Sequence, residues 1–105
     1  MSSPDSVAQP ADRNDERDGV RGEVEIVNGE GLHLRPATAF AALVANSGCV
    51  VRVESDRGSA NGASVLELAM LAAPRGTRLR IHVTGDGADE LLTALTRLVT
   101  SGFKG

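Results

Sequence analysis

Residues 77–84, TRLRIHVT, alternate strictly between apolar and polar side chains. Leu79, Ile81 and Val83 fall on one side of an extended chain. Arg78, Arg80 and His82 fall on the other side. Residues 23–27, EVEIV, alternate in the same way. A strand with one charged face needs cover on its apolar face only. The pattern therefore predicts a sheet that carries its helices on a single side.

Three further segments have apolar residues at helical spacing. The first follows the loop at residues 29–31 and ends before Gly48, the second spans about residues 64–72, and the third ends at Gly102. The residues expected to face the core are, helix by helix, Phe40, Leu43 and Val44; Leu68, Leu71 and Ala72; and Leu91/Leu92, Leu95 and Leu98/Val99.

Residues 49–55, CVVRVES, and 59–61, SAN, predict two more strands, and the turn DRG between them predicts a hairpin. The predicted element order is β-α-β-β-α-β-α. We therefore expect an α/β chain of the α+β type: an open-faced β-sandwich with a four-stranded, mostly antiparallel sheet and three helices on one face.

The chain divides into a leader at residues 1–21 and a domain at residues 22–105. The leader is rich in Ser, Pro, Asp and Arg and has almost no large apolar side chain, so we expect it to be disordered. A length of 105 residues allows one hydrophobic core. The absence of Trp and Tyr, with only two Phe, makes that core aliphatic.

Charge and cysteine content exclude several classes of protein. The formal net charge is −3 and no cluster of Lys and Arg occurs, which argues against a nucleic-acid partner. No apolar run is long enough for membrane insertion, and the N-terminal residues lack the basic and apolar regions of a signal peptide, so we expect neither export nor anchoring. Cys49 is the only cysteine, so neither an intramolecular disulfide nor a thiolate metal site is expected. We expect a cytoplasmic protein.

Residues 29–40, GEGLHLRPATAF, place a histidine, an arginine and a proline at the predicted start of the first helix. If His33 is the N-cap, Arg35 and Pro36 are the second and third helical residues. Proline is tolerated in the first turn, where the backbone amides have no partner within the helix. The remaining free amides and the positive end of the helix dipole suit a small anion.

This arrangement favours phosphoryl chemistry on His33. An unprotonated imidazole nitrogen is available near neutral pH and can act as a nucleophile, and Arg35 can add a charge-assisted hydrogen bond to a phosphate. The spacing alone also fits a simpler interpretation, in which His33 is only a helix cap or a surface residue.

The string GLHLRPA and the element order resemble the histidine-containing phosphocarrier protein HPr of the bacterial phosphoenolpyruvate-dependent phosphotransferase system. The resemblance covers about residues 22–105. It implies that His33 accepts a phosphoryl group on Nδ1 from enzyme I and passes it to an enzyme IIA domain, with Arg35 stabilising the phosphate. It also implies a monomer with no cofactor or metal, which is a substrate of other enzymes rather than an enzyme with turnover of its own.

Ser64 begins the second predicted helix, and Glu67 follows three residues later, which is the spacing of a capping box. A structural role therefore explains both residues. The resemblance adds a regulatory role, because a serine at this position is phosphorylated by HPr kinase/phosphorylase in many bacteria. This chain has Ala63 where relatives often have lysine, which weakens the inference about kinase recognition.

Leu34, Leu66 and Met70 do not fall clearly on the core faces of their helices. Exposed apolar residues near a reactive histidine suggest protein docking, and by resemblance this surface is shared by enzyme I, IIA domains and the kinase. We expect docking for Leu34 and Leu66. Met70 fits either docking or the core.

Two other functions compete with the phosphocarrier. A regulatory HPr-like binding module would act through Ser64 and the docking residues, but it would not need the nucleophile His33. A phosphatase would need a second acid or base in the motif and a deep pocket, and a chain this small offers neither.

Overall fold

The computed structural model describes residues 19–104. Their secondary structure follows the predicted order β-α-β-β-α-β-α. The elements are β1 (Val20–Glu25), α1 (Leu34–Ala45), β2 (Val50–Ser55), β3 (Gly58–Asn61), α2 (Val65–Leu71), β4 (Arg78–Thr84) and α3 (Ala88–Thr100).

The four strands form one sheet in the order β1-β4-β2-β3, and each neighbouring pair is antiparallel. β2 and β3 form the predicted hairpin. One face of the sheet carries buried apolar side chains, while the other face carries mainly charged and polar side chains. Because the three helices cover only the apolar face, the open-faced β-sandwich is confirmed.

The core is aliphatic apart from one ring. Phe40 of α1 is fully buried, and it lies among leucine, isoleucine and valine side chains from the sheet and the other helices. Leu68 of α2 and Leu95 of α3 are also fully buried, at the positions that the helical spacing predicts.

β1 begins at Val20, earlier than the strand predicted from Glu23. Val20 pairs with Val83 and Arg21 pairs with His82, so the ladder with β4 extends the strand. The last two residues of the predicted leader, 20 and 21, therefore lie in β1. The rest of the predicted disordered leader, apart from Gly19, lies outside the described residues.

The prediction that Ala72 faces the core is wrong. Ala72 follows the last residue of α2 in the left-handed conformation, with φ 49°, and its N–H donates to Ala69 O. This turn exposes Ala72 and buries Ala73 in its place. Helical spacing cannot detect the change, because the helix ends one residue earlier than the apolar pattern does.

We expect Leu95→Ala to lower the free energy of unfolding by about 2–5 kcal/mol, because it leaves a cavity at a fully buried position of α3. The control is Leu66→Ala on α2, where the side chain is 69% exposed. The control should stay within about 0.5 kcal/mol of the wild type. Urea denaturation measures both variants, and equal losses would contradict the described core.

Candidate functional site

His33 is the N-cap of α1, as the sequence predicts. Its backbone is extended, with φ −83° and ψ −177°, and its carbonyl accepts the N–H of Ala37 at 2.8 Å. The imidazole is exposed and makes no capping hydrogen bond. The backbone therefore places the ring at the start of the helix, where neither ring nitrogen has a hydrogen-bond partner among residues 19–104.

The first turn of α1 leaves two backbone amides available. An N-cap side chain usually accepts the amide of the second or third helical residue. The third residue here is Pro36, which has no N–H and is itself buried. Within residues 19–104, the amides of Leu34 and Arg35 have no partner, so they can bind an anion at the helix start.

The loop before His33 rests on the segment that follows α2. The N–H of Leu32 donates to Ala73 O at 2.8 Å, and the Leu32 side chain is buried. Gly31 has φ +75°, and a Cβ at this residue would lie 2.5 Å from the same carbonyl oxygen. Only glycine fits this approach. The contact fixes the backbone immediately before His33.

Asn28 closes the other side of this loop. Its Nδ2 donates to Gly31 O at 2.8 Å, and its backbone carbonyl accepts the Gly31 N–H at 3.1 Å. The sequence analysis missed Asn28. The available signal was an asparagine directly before glycine, which is typical of a turn whose side chain bonds the nearby backbone.

Arg35 is exposed, and within the described range its guanidinium has no hydrogen-bond partner. It lines an open cleft between the 28–31 loop and the C-terminal residues, together with Glu30 and Lys104. The structure thus places a second cation, Lys104, on the same cleft as Arg35. Sequence patterns could not find it, because Lys104 is about 70 residues away along the chain.

Ser64 caps α2. Its Oγ accepts the N–H of Glu67 at 3.1 Å, which is the first half of the predicted capping box. The second half differs: the Glu67 carboxylate accepts the N–H of Asn61 at 2.8 Å, and the N–H of Ser64 donates to Asn61 O. Glu67 therefore ties the end of β3 to the helix rather than closing the box on Ser64.

Leu34, Leu66 and Met70 are 65%, 69% and 72% exposed. Leu34 is the first residue of α1, and the other two lie on α2, which packs against α1. Met70 therefore does not fill the core. The three side chains are available to a partner, and their docking role remains a prediction.

Residues 19–104 contain neither a membrane-spanning helix nor a group of metal ligands. No helix among them has the length and apolar character needed to cross a bilayer. Their His, Cys, Asp and Glu side chains form no group of three that could hold a metal ion.

Comparison with known proteins gives a consistent result. The family model described as "PTS HPr component phosphorylation site" matches residues 20–101. The phosphocarrier protein HPr of Pseudomonas aeruginosa is 38% identical over 82 residues, which are 77% of this chain and 91% of that protein. The phosphocarrier protein NPr of Escherichia coli is 35% identical over 85 residues, which are 80% of this chain and 94% of that protein.

Solved structures agree with this result. HPr from Thermoanaerobacter tengcongensis superimposes with a TM-score of 0.76 at 29% identity, over 82% of this chain and 97% of that one. HPr from Bacillus anthracis gives a TM-score of 0.73 at 28% identity, over 77% and 96%.

We expect Gly31→Ala to lower the free energy of unfolding by about 1–3 kcal/mol, because the added Cβ meets Ala73 O and alanine disfavours a positive φ. Gly29→Ala is the matched control, since a Cβ there meets nothing within 4 Å. Thermal denaturation compares the two. A Gly31→Ala protein as stable as Gly29→Ala would contradict the close approach to Ala73.

We expect Ser64→Ala to lower the free energy of unfolding by about 1 kcal/mol, the usual loss when a helix cap is removed. Ser59→Ala, at an exposed position of β3, is the control and should change stability by less than about 0.5 kcal/mol. Urea denaturation measures both. If the two variants were equally stable, the result would contradict the structural role of Ser64.

Proposed function

Because this chain belongs to the HPr family of phosphotransferase-system phosphocarriers, we propose that His33 accepts a phosphoryl group on Nδ1 from phosphorylated enzyme I and passes it to an enzyme IIA domain. The observation that carries the proposal is the position of His33. Its exposed imidazole lies at a helix start whose first two amides are free.

The transfer step requires a neutral imidazole. The Nδ1 lone pair forms a bond to phosphorus while the bond between phosphorus and the donor enzyme breaks, so the phosphoryl group moves without net hydrolysis. Nδ1 is the ring nitrogen nearer to the backbone. A phosphoryl group on this atom is therefore the one best placed to meet the amides of Leu34 and Arg35.

A carrier must hold its phosphoryl group and also release it. The exposed N-terminus of a helix contributes about 0.3–1 kcal/mol to the binding of a negative group. A hydrogen bond from the Arg35 guanidinium contributes about 1.5–3 kcal/mol before screening by solvent. Because Arg35 is exposed, its contribution falls toward the low end. These modest terms support a phosphoryl group that stays transferable.

The partners proposed from the family are enzyme I and enzyme IIA domains, which would meet a monomer in the cytoplasm. Leu34 is adjacent to His33 in sequence, and Leu66 and Met70 lie on the neighbouring helix. Apolar side chains exposed by about two thirds favour burial against another protein. We propose that these three residues contact both partners in turn.

Regulation through Ser64 is the second proposal, and the hydrogen bonds around α2 qualify it. The Ser64 hydroxyl is already a cap, and the Glu67 carboxylate lies three residues away. A phosphate on Ser64 would gain from the helix N-terminus and lose by repulsion from Glu67. The structural role of Ser64 is thus independent of any action by an HPr kinase/phosphorylase. A regulatory binding module that lacks the relay remains the alternative function.

We expect the protein to take up label from phosphoenolpyruvate when enzyme I is present, and we expect His33→Ala to take up none. A bond between phosphorus and imidazole nitrogen is acid-labile, so the label should be lost at low pH. The chain has one other histidine, and His82→Ala is the matched control that should keep full labelling.

Two results would contradict this assignment. Label retained in His33→Ala would show that another residue accepts the phosphoryl group. Acid-stable label that disappears in Ser64→Ala, with none on His33, would favour the regulatory module.

A further inference from the structure

The Gly31 carbonyl oxygen accepts two hydrogen bonds, and these connect Asn28 to His33. One comes from Nδ2 of Asn28 at 2.8 Å, and the other comes from the backbone N–H of His33 at 3.0 Å. A side chain five residues before the nucleophile is therefore linked to the nucleophile's own backbone through a single oxygen. Among residues 19–104, Asn28 is the only residue whose side chain is bonded to the loop before His33.

The other end of the same amide has no partner. Oδ1 of Asn28 is buried, and no donor in the described range reaches it. An unpaired buried acceptor costs free energy, whereas an apolar side chain of the same size would not have that cost. The Oδ1 end of the amide therefore does not stabilise the loop. The group that bonds the loop is the donor, Nδ2, which faces Gly31.

Partial burial and one hydrogen bond restrict the Asn28 side chain. The side chain is half-buried, and its Cβ faces Gly102, just after α3, which has no side chain to displace it. The next residue, Gly29, has open space around it. Asn28 thus lies beside the C-terminal segment with Nδ2 bonded to Gly31 O, an arrangement that restricts the direction of Nδ2.

We infer that Asn28 is a positioning residue for phosphoryl transfer, a role that rests on the proposed function of His33. Through the Gly31 carbonyl, Nδ2 orients the peptide that donates to it from His33. This sets the extended backbone of His33 and hence the direction in which the imidazole leaves the chain toward the free amides of Leu34 and Arg35. Transfer requires the ring nitrogen and these amides to meet the same phosphoryl group, so a small rotation of His33 slows the reaction.

Two substitutions separate position from charge. Asn28→Asp keeps the shape but replaces the donor by a carboxylate, which repels Gly31 O and adds a negative charge near the site. Asn28→Leu has similar size, adds no charge and removes the unpaired oxygen together with the donor. Asn46→Asp makes the same charge change at the exposed C-cap of α1, at the far end of a 12-residue helix, and serves as the control.

We expect enzyme I to phosphorylate both Asn28 variants of the full chain with a kcat about tenfold lower than with the wild-type chain as substrate. A hydrogen bond that positions the nucleophile is worth about that factor. KM should stay within about twofold of the wild type, since the docking residues are unchanged. The thermal midpoint of Asn28→Leu should not fall. The backbone amide NMR signals of Leu34 and Arg35 should shift in both Asn28 variants and stay in place in Asn46→Asp.

The outcomes distinguish this inference from the function on which it rests. A wild-type protein that enzyme I does not label would overturn the phosphocarrier role and the positioning role together. A labelled wild type with Asn28→Leu at full kcat would overturn the positioning role alone. A rate loss in Asn28→Leu that matches its unfolded fraction, with unchanged amide signals, would also overturn it, because Asn28 would then serve stability only.

Discussion

The hydrogen bond from the Leu32 N–H to the Ala73 carbonyl joins the loop before His33 to the segment that follows α2, and the geometry of the site depends on it. The bond forms only because Gly31 lets the two backbones approach closely. Leu32 is buried at the edge of the core, and His33, the next residue, is exposed. The transition from packed core to open surface thus takes place within one peptide unit. A backbone held by hydrogen bonds and core packing can therefore present an exposed ring.

The start of α1 is left weaker than the starts of the other two helices. α2 has Ser64 as a cap and Glu67 in its first turn, and α3 has acidic residues in its first turn, whereas α1 has neither a side-chain cap nor an acidic residue there. A missing cap costs about 1 kcal/mol. Burial of a ring such as Phe40 is worth about 3–5 kcal/mol by comparison with alanine, so the core offsets the uncapped start. The unused amides remain available for an incoming anion.

The features that the sequence predicted well depend on neighbouring residues. The alternation in β4 and the position of His33 ahead of Pro36 both follow from local spacing, and both agree with the structure. Two of the features that it missed depend on how separate elements contact each other. Ala72 leaves the helix because the chain turns to bring Ala73 under Leu32, and the Glu67 carboxylate reaches back to β3. Periodicity contains no information about such contacts.

Under the proposed function, the two histidines of the chain differ in placement rather than in residue type. His82 lies on the open face of the sheet, but its Nε2 is buried without a hydrogen-bond partner among residues 19–104, and the backbone of Gly19 lies close to it. A phosphoryl group on that nitrogen would need the space that Gly19 occupies. Because His82 lies within β4, it has no adjacent helix N-terminus to supply free amides. His33 has open space, two free amides and a guanidinium two residues away. The proposed transfer therefore favours His33, which lies where a helix begins, over His82, which lies within a strand.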